Sequence, residues 1–206
     1  MPIPGARLEG DLTIPTGARG IVVFAHGSGS SRRSARNRHV ATVVVNGGFA
    51  TLLFDLLTSR EEEIDQRTAE LRFNIRLLSE RLVEVTDWLQ SEPSTREFRI
   101  GYFGASTGAA AALVAATQRP DNVATVVSRG GRPDLAGGAL ADVHAPTLLV
   151  VGGADPVVLD LNREAYQLLR TERALEIVPG ATHLFEEPGA LDQVADLALD
   201  WFSRYL

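Results

Sequence analysis

The sequence predicts a single three-layer α/β domain over residues 1–206, built on a mostly parallel central sheet with helices on both faces. Three observations point there. From residue 20 to the end, strand-like and helix-like segments alternate. The strand-like runs are continuously apolar, as strands buried on both faces are. No repeat, linker or low-complexity tract interrupts the alternation, and a domain of this length buries about 70% of its unfolded surface without staples.

Taken in order, a first candidate strand lies near Leu8–Ile14, and Ile21–Ala25 is the first short, β-branched, fully apolar run. Ala35–Val45 reads as a helix that Gly47-Gly48 ends, and Phe49–Phe54 as the next strand. Leu71, Ile75, Leu78, Leu82, Val85 and Leu89 recur at spacings of three and four, which puts an apolar stripe on one side of a helix. Arg99–Phe103 and Ser106–Gln118 then form a strand and a helix. Residues 100–118 carry no charge, close to the roughly 20 apolar residues of a membrane span. Gly101, Gly104, Ser106, Thr107 and Gly108 break that run into strand, turn and helix instead. Val123–Val127, Thr147–Val151 and Leu175–Val178 complete the strands. Asn162–Arg170 and the stripe Leu191, Val194, Ala198, Trp201 and Tyr205 complete the helices.

Composition removes several chemistries. There is no Cys and no Lys, and all 20 basic residues are Arg. Without Cys there is no disulfide, thiolate nucleophile or Cys-ligated metal. Without Lys there is no pyridoxal-phosphate Schiff base and no phosphate-binding loop ending in Gly-Lys-Ser/Thr. The net charge of −6, with Arg clustered only near residues 32–38, speaks against a nucleic-acid partner. Residues 1–11 show no charged region followed by an apolar run, so a cytoplasmic protein with no membrane partner is expected. His26, His39, His144 and His183 have no paired spacing, so no metal site and no cofactor are expected.

The sharpest motif is Gly104-Ala105-Ser106-Thr107-Gly108. By itself Gly-x-Ser-x-Gly is a weak signal, but here it joins a strand to a helix. A serine on that tight turn stands above the sheet edge, and the helix N-terminus behind it favours developing negative charge. A serine hydroxyl needs a general base oriented by a carboxylate. His183 lies in the loop after the last strand, and Asp155 lies in Gly152-Gly153-Ala154-Asp155-Pro156 directly after Thr147–Val151. The chain order Ser106, Asp155, His183 is the one expected on such a sheet. Acyl transfer also needs two backbone N–H donors for an oxyanion. Thr107, after the nucleophile, and Ser28, in His26-Gly27-Ser28-Gly29 after the first sheet strand, occupy those places. His26, His39 and His144 read as structural or surface residues.

These motifs resemble the α/β-hydrolase superfamily, and within it the small dienelactone hydrolase-like branch, over about residues 15–206. The resemblance implies Ser106 as nucleophile, Asp155 as orienting acid, His183 as base, and Ser28 and Thr107 as oxyanion donors. One departure is informative: dienelactone hydrolases use a cysteine nucleophile, and its absence favours serine esterase or thioesterase chemistry over lactone hydrolysis. Members with a helical cap carry a long insert between the strands near Val123–Val127 and Thr147–Val151. Here that interval holds about one short helix, so no cap is expected. The walls would be Ser28–Arg38, Leu56–Gln66 and Ser128–Leu135.

The expected function is cleavage of a small-molecule carboxylic ester through an acyl-enzyme. An inactive binding protein of the same fold, or an acyltransferase or perhydrolase using the same residues, stays open at this point, as does the oligomeric state. Arg32 and Arg129 are candidates for holding a carboxylate or phosphate on the substrate. The alternative for the Arg-rich stretch is a solvated helix start with salt bridges to Glu61-Glu62-Glu63.

Overall fold

A computed structural model describes residues 1–206. A short hairpin, β1 (Pro2–Ile3) and β2 (Ala6–Arg7), turns at Gly5, whose φ of 73° suits glycine. Seven strands then form one sheet: β3 (Gly10–Thr13), β4 (Ile21–Ala25), β5 (Ala50–Phe54), β6 (Ile100–Ala105), β7 (Val123–Arg129), β8 (Thr147–Gly152) and β9 (Arg173–Val178). Their order is β3-β5-β4-β6-β7-β8-β9, with only β3 antiparallel. The helices are α1 (Ala35–Asn46), α2 (Ser59–Thr68), α3 (Ile75–Ser91), α4 (Thr107–Gln118), α5 (Pro156–Leu168) and α6 (Ala190–Tyr205).

The unbroken apolarity of the central strands has a simple cause. Successive side chains point to opposite faces, and both faces are covered. Val22 and Phe24 pack with Val40 and Val44 of α1 and Val194, Trp201 and Phe202 of α6. Val23 and Ala25 pack on the other side with Leu82 and Val85 of α3 and Ala111 of α4. The faces meet at close quarters: a Cβ on Gly101 would stand 2.9 Å from the Phe202 ring.

Topology fixes where a site forms. After β4 the chain steps to β5 on one side, then returns past β4 to lay down β6 on the other. The loops leaving β4 and β6 therefore diverge, opening a crevice at the C-terminal edge. Ala25 pairs with Gly104, so Gly27 comes level with Ser106, and Ala105 pairs with Arg129. Gly152 pairs with Val178, so the loops bearing Asp155 and His183 leave the same edge.

The structure differs from the sequence reading in four places. Leu71, read as the first residue of the α3 stripe, lies in a separate 3₁₀ turn, Leu71–Phe73, ahead of the Asn74 N-cap. The Leu56–Gln66 wall contains α2, whose mostly charged sequence shows no apolar stripe. It is held by a capping box between Thr58 and Glu61 and by buried Asp65 at its end. α5 begins at Pro156, six residues before the expected Asn162. β7 runs on through Ser128 and Arg129, and Pro133–Asp142 forms two 3₁₀ turns kinked at Gly137 (φ 55°). No helix is long and apolar enough to cross a membrane.

Phe202 is fully buried between α6 and the sheet. Phe202→Ala is expected to lower unfolding free energy by about 3–5 kcal/mol. Urea denaturation checks this, with the midpoint falling and the slope preserved.

Candidate active site

Ser106 sits between β6 and α4 with φ 50° and ψ −120°, a conformation an L-residue adopts rarely. Two glycines make the turn sterically attainable. A Cβ at Gly104 would lie 2.4 Å from Ala109 Cα, and one at Gly108 would lie 2.3 Å from the Ala25 carbonyl oxygen. Hydrogen bonds then hold it: the Ser106 N–H donates to Arg129 O, and Ser106 O accepts from the N–H groups of Ala109 and Arg132.

His183 and Asp155 meet as the spacing predicts, Nδ1 standing 2.8 Å from Oδ2. Asp155 occupies the N-cap position of α5, yet its side chain caps nothing. Pro156 takes the first helical position, and the carboxylate turns to His183 instead of the helix end. The two loops touch so closely that a Cβ on Gly152 would meet Ala181 O at 2.3 Å. With Nδ1 donating to Asp155, this tautomer of the imidazole leaves Nε2 as an acceptor. His183 and Ser106 line one pocket of about 220 Å³ without a direct hydrogen bond between their side chains. Catalytic contacts of this kind often tighten only around substrate.

Ser28 lines the same pocket, and with Thr107 it also lines a narrow adjoining one. Thr107 is the first residue of α4, so its N–H has no intrahelical acceptor. His26 anchors this loop from beneath. Its Nε2 accepts from the Leu56 N–H at 3.1 Å, and its Nδ1 donates to Gly27 O at 2.9 Å. His26 is thus structural, as expected. His39 pairs with Asp192 on the surface, and His144 is exposed.

The structure separates the two candidate arginines. Arg32 does not reach the Ser106 pocket. It lies in a larger cleft of about 520 Å³, where Asp55 accepts from both its backbone N–H and its guanidinium, and Glu9 pairs at 2.7 Å. With its charge balanced there, Arg32 ties the loop after β4 to the loop after β5. Its partners are not the Glu61–Glu63 run, and Glu61 pairs with Arg81 instead. Arg132 pairs with Asp134. Arg129, by contrast, does line the Ser106 pocket. It is 7% exposed, has no acidic partner, and leaves Nε and Nη1 without a hydrogen bond. Burial, with Arg36 nearby, pushes its pKa down to about 10, so it is still a cation at neutral pH.

Arg36 belongs to the Arg-rich stretch that the sequence marked out, whereas the roles of Ser34 and Asp65 escaped the sequence reading. Arg36 and Ser34 line the pocket from the start of α1. Asp65 is buried at the end of α2, where it accepts from the N–H groups of Leu71 and Arg72 and from Arg72 Nε. That clamp sets Arg72 against the loop at Gly29, lining the narrow pocket. A lone Asp among charged neighbours carries no signal of burial.

His26 links this site to acid stability. Burial is the largest cause lowering its pKa, partly offset by the hydrogen bond to Gly27 and the fields of Asp55 and Glu62. The unfolded chain therefore binds the proton more readily. Stability is full above the unfolded value of about 6.5 and falls as pH drops below it toward the folded value. His26→Gln keeps a donor and an acceptor without titrating. It is expected to flatten the fall in melting temperature between about pH 7 and 5, read from thermal melts across that window.

Comparison with known proteins agrees with this architecture. The family model described as "Dienelactone hydrolase family" matches residues 8–205. The crystal structure of a dienelactone hydrolase from Anabaena variabilis is 60% identical, covers 100% of this chain and 95% of that one, and superposes with a TM-score of 0.98. Est1E from Butyrivibrio proteoclasticus, solved with ferulic acid bound, is 14% identical over 96% of this chain and 95% of its own, with a TM-score of 0.77, and so shares the fold. A Mycobacterium tuberculosis protein named as a candidate phosphoribosyl transferase is 60% identical over 205 residues, all of this chain. The chain spans only 45% of that relative's length. With its α/β-hydrolase sheet and a family match from residue 8 to residue 205, the chain belongs to the dienelactone hydrolase family.

Proposed function

We propose that the protein is a serine hydrolase that cleaves carboxylic esters of small molecules through an acyl-enzyme. The observation that supports this most is the His183–Asp155 hydrogen bond opening onto the pocket that Ser106 enters from a strained turn. In this reading Ser106 Oγ attacks the carbonyl carbon while His183 Nε2 takes its proton, and Asp155 holds the imidazole in the tautomer that leaves Nε2 free. The tetrahedral oxyanion accepts from the N–H groups of Ser28 and Thr107, at the positive end of α4. Collapse expels the alcohol, protonated by His183. Water, deprotonated by the same nitrogen, then attacks the acyl-enzyme and frees Ser106.

The missing cysteine distinguishes this site from the thiolate version of the chemistry. A hydroxyl has a far higher pKa than a thiol, so Ser106 depends on the His183–Asp155 pair more than a cysteine would. The mycobacterial relative that carries the transferase name is more than twice as long as this chain.

Ser106→Ala is expected to lower kcat for p-nitrophenyl ester hydrolysis by at least about 10⁴-fold, and Asp155→Asn by roughly 10³–10⁴-fold with KM little changed. Steady-state kinetics on a panel of short and long acyl esters, thioesters and lactones measures both effects. Retention of most activity in Ser106→Ala overturns the assignment. Added alcohol or peroxide outcompeting water for the acyl group identifies an acyltransferase or perhydrolase instead.

A further inference from the structure

We propose that the Ser106 pocket takes esters bearing a phosphate monoester group, which Arg129 and Arg36 hold against the N-terminus of α1. This inference rests on the serine-hydrolase reading and names its substrate class.

The starting observation is a cation without a counterion. Arg129 is 7% exposed and lies in the pocket beside the nucleophile turn, since it pairs in register with Ala105. Its Nε and Nη1 reach neither solvent nor a protein acceptor, and no carboxylate stands within salt-bridge distance. The Phe185 ring lies under it, 5.9 Å from centroid to guanidinium carbon. Buried charges in proteins are paired or bind a ligand, because leaving one unpaired is strongly unfavourable. Two other arginines with largely buried side chains follow that rule: Arg32 and Arg81 each hold a carboxylate.

The surroundings deepen the deficit of negative charge. Arg36 enters the same pocket, with Nε buried and unpartnered and Nη1 held only by exposed Glu186 at 3.1 Å. Arg36 also stands in the first turn of α1, which contains no acidic residue. A helix N-terminus disfavours a cation and favours an anion, above all a phosphate. Ser34, the N-cap of α1, and Ser28 and Ser30 bring hydroxyl groups to the same wall.

The donor count selects phosphate over carboxylate. A carboxylate brings one charge and two oxygens, enough for one of the two guanidinium groups, while the acid that Arg36 already holds, Glu186, is exposed. A phosphate monoester carries nearly two negative charges and three terminal oxygens. It can accept from both guanidinium groups and the serine hydroxyls together. The phosphate is a handle only: its P–O bonds stay intact while Ser106 opens the carboxylic ester beside it.

The test uses p-nitrophenyl esters of identical acyl length ending in phosphate, carboxylate or methoxy, in phosphate-free buffer. The phosphate ester is expected to exceed the methoxy ester in kcat/KM by at least about tenfold, and the carboxylate ester to fall between them. In Arg129→Met the ratio drops to about one, and Arg129→Lys restores part of it. Inorganic phosphate raises the melting temperature of the native protein and competes with the methoxy ester, and Arg129→Met loses both effects. Equal turnover of the three esters, a preference for carboxylate, or a phosphate preference that survives Arg129→Met overturns the proposal. If Arg129→Met fails to fold, Arg36→Met is read against the same ratios. If no ester is cleaved and a fluorophosphonate leaves Ser106 unmodified, the hydrolase reading falls. The thermal shift with inorganic phosphate then decides the anion site on its own.

Discussion

The tight turn at Ser106 is the constraint around which this sheet edge is built. A non-glycine residue at φ 50° and ψ −120° stores on the order of 1–3 kcal/mol of backbone strain and persists only where its surroundings leave no alternative. Those surroundings are visible. Gly104 and Gly108 allow the backbone of α4 and the end of β4 to close in, and hydrogen bonds from the Ala109 and Arg132 N–H groups fix the Ser106 carbonyl. The buried Ala-rich face of α4 presses the turn against the sheet. The strain keeps the hydroxyl above the edge, in front of a helix N-terminus.

Charge at this edge is divided between pairs that hold structure and a buried cation without an acidic partner. Arg32 with Asp55, and Arg72 with Asp65, tie down the loops that flank Ser28. His26 does the same work uncharged, using both ring nitrogens. Asp155 is spared from capping α5 and serves His183 alone. Against that background the solitary Arg129 stands out, because neighbouring cations have found their acids and it has not.

Much of this was legible in the sequence, and the exceptions share a cause. The sheet strands were readable because burial on both faces leaves a continuous apolar run, and α3 and α6 because one buried face leaves a stripe. Ser106, Asp155 and His183 were readable because glycine-bearing turns after strands mark the places where a short loop must lift a side chain above the edge. α2 was missed because capping and the Asp65–Arg72 pair hold it, and neither produces periodicity. Arg32 and Arg129 looked alike as arginines following strands. Their difference lies in partners distant along the chain: Glu9 and Asp55 for the one, none for the other. Composition had a similar limit. The absence of Cys and Lys narrowed the candidate chemistry, but the distance between His183 and Asp155 is a property of the folded edge.

The central claim is that strain and the His183–Asp155 pair together make Ser106 a nucleophile. The most direct measurement is peptide-mapped mass spectrometry after treatment with a fluorophosphonate, comparing the native chain with His183→Gln. One adduct is expected, on Ser106, forming at least about 100-fold more slowly when His183 is replaced. No adduct, an adduct on another residue, or a rate indifferent to His183 would contradict it.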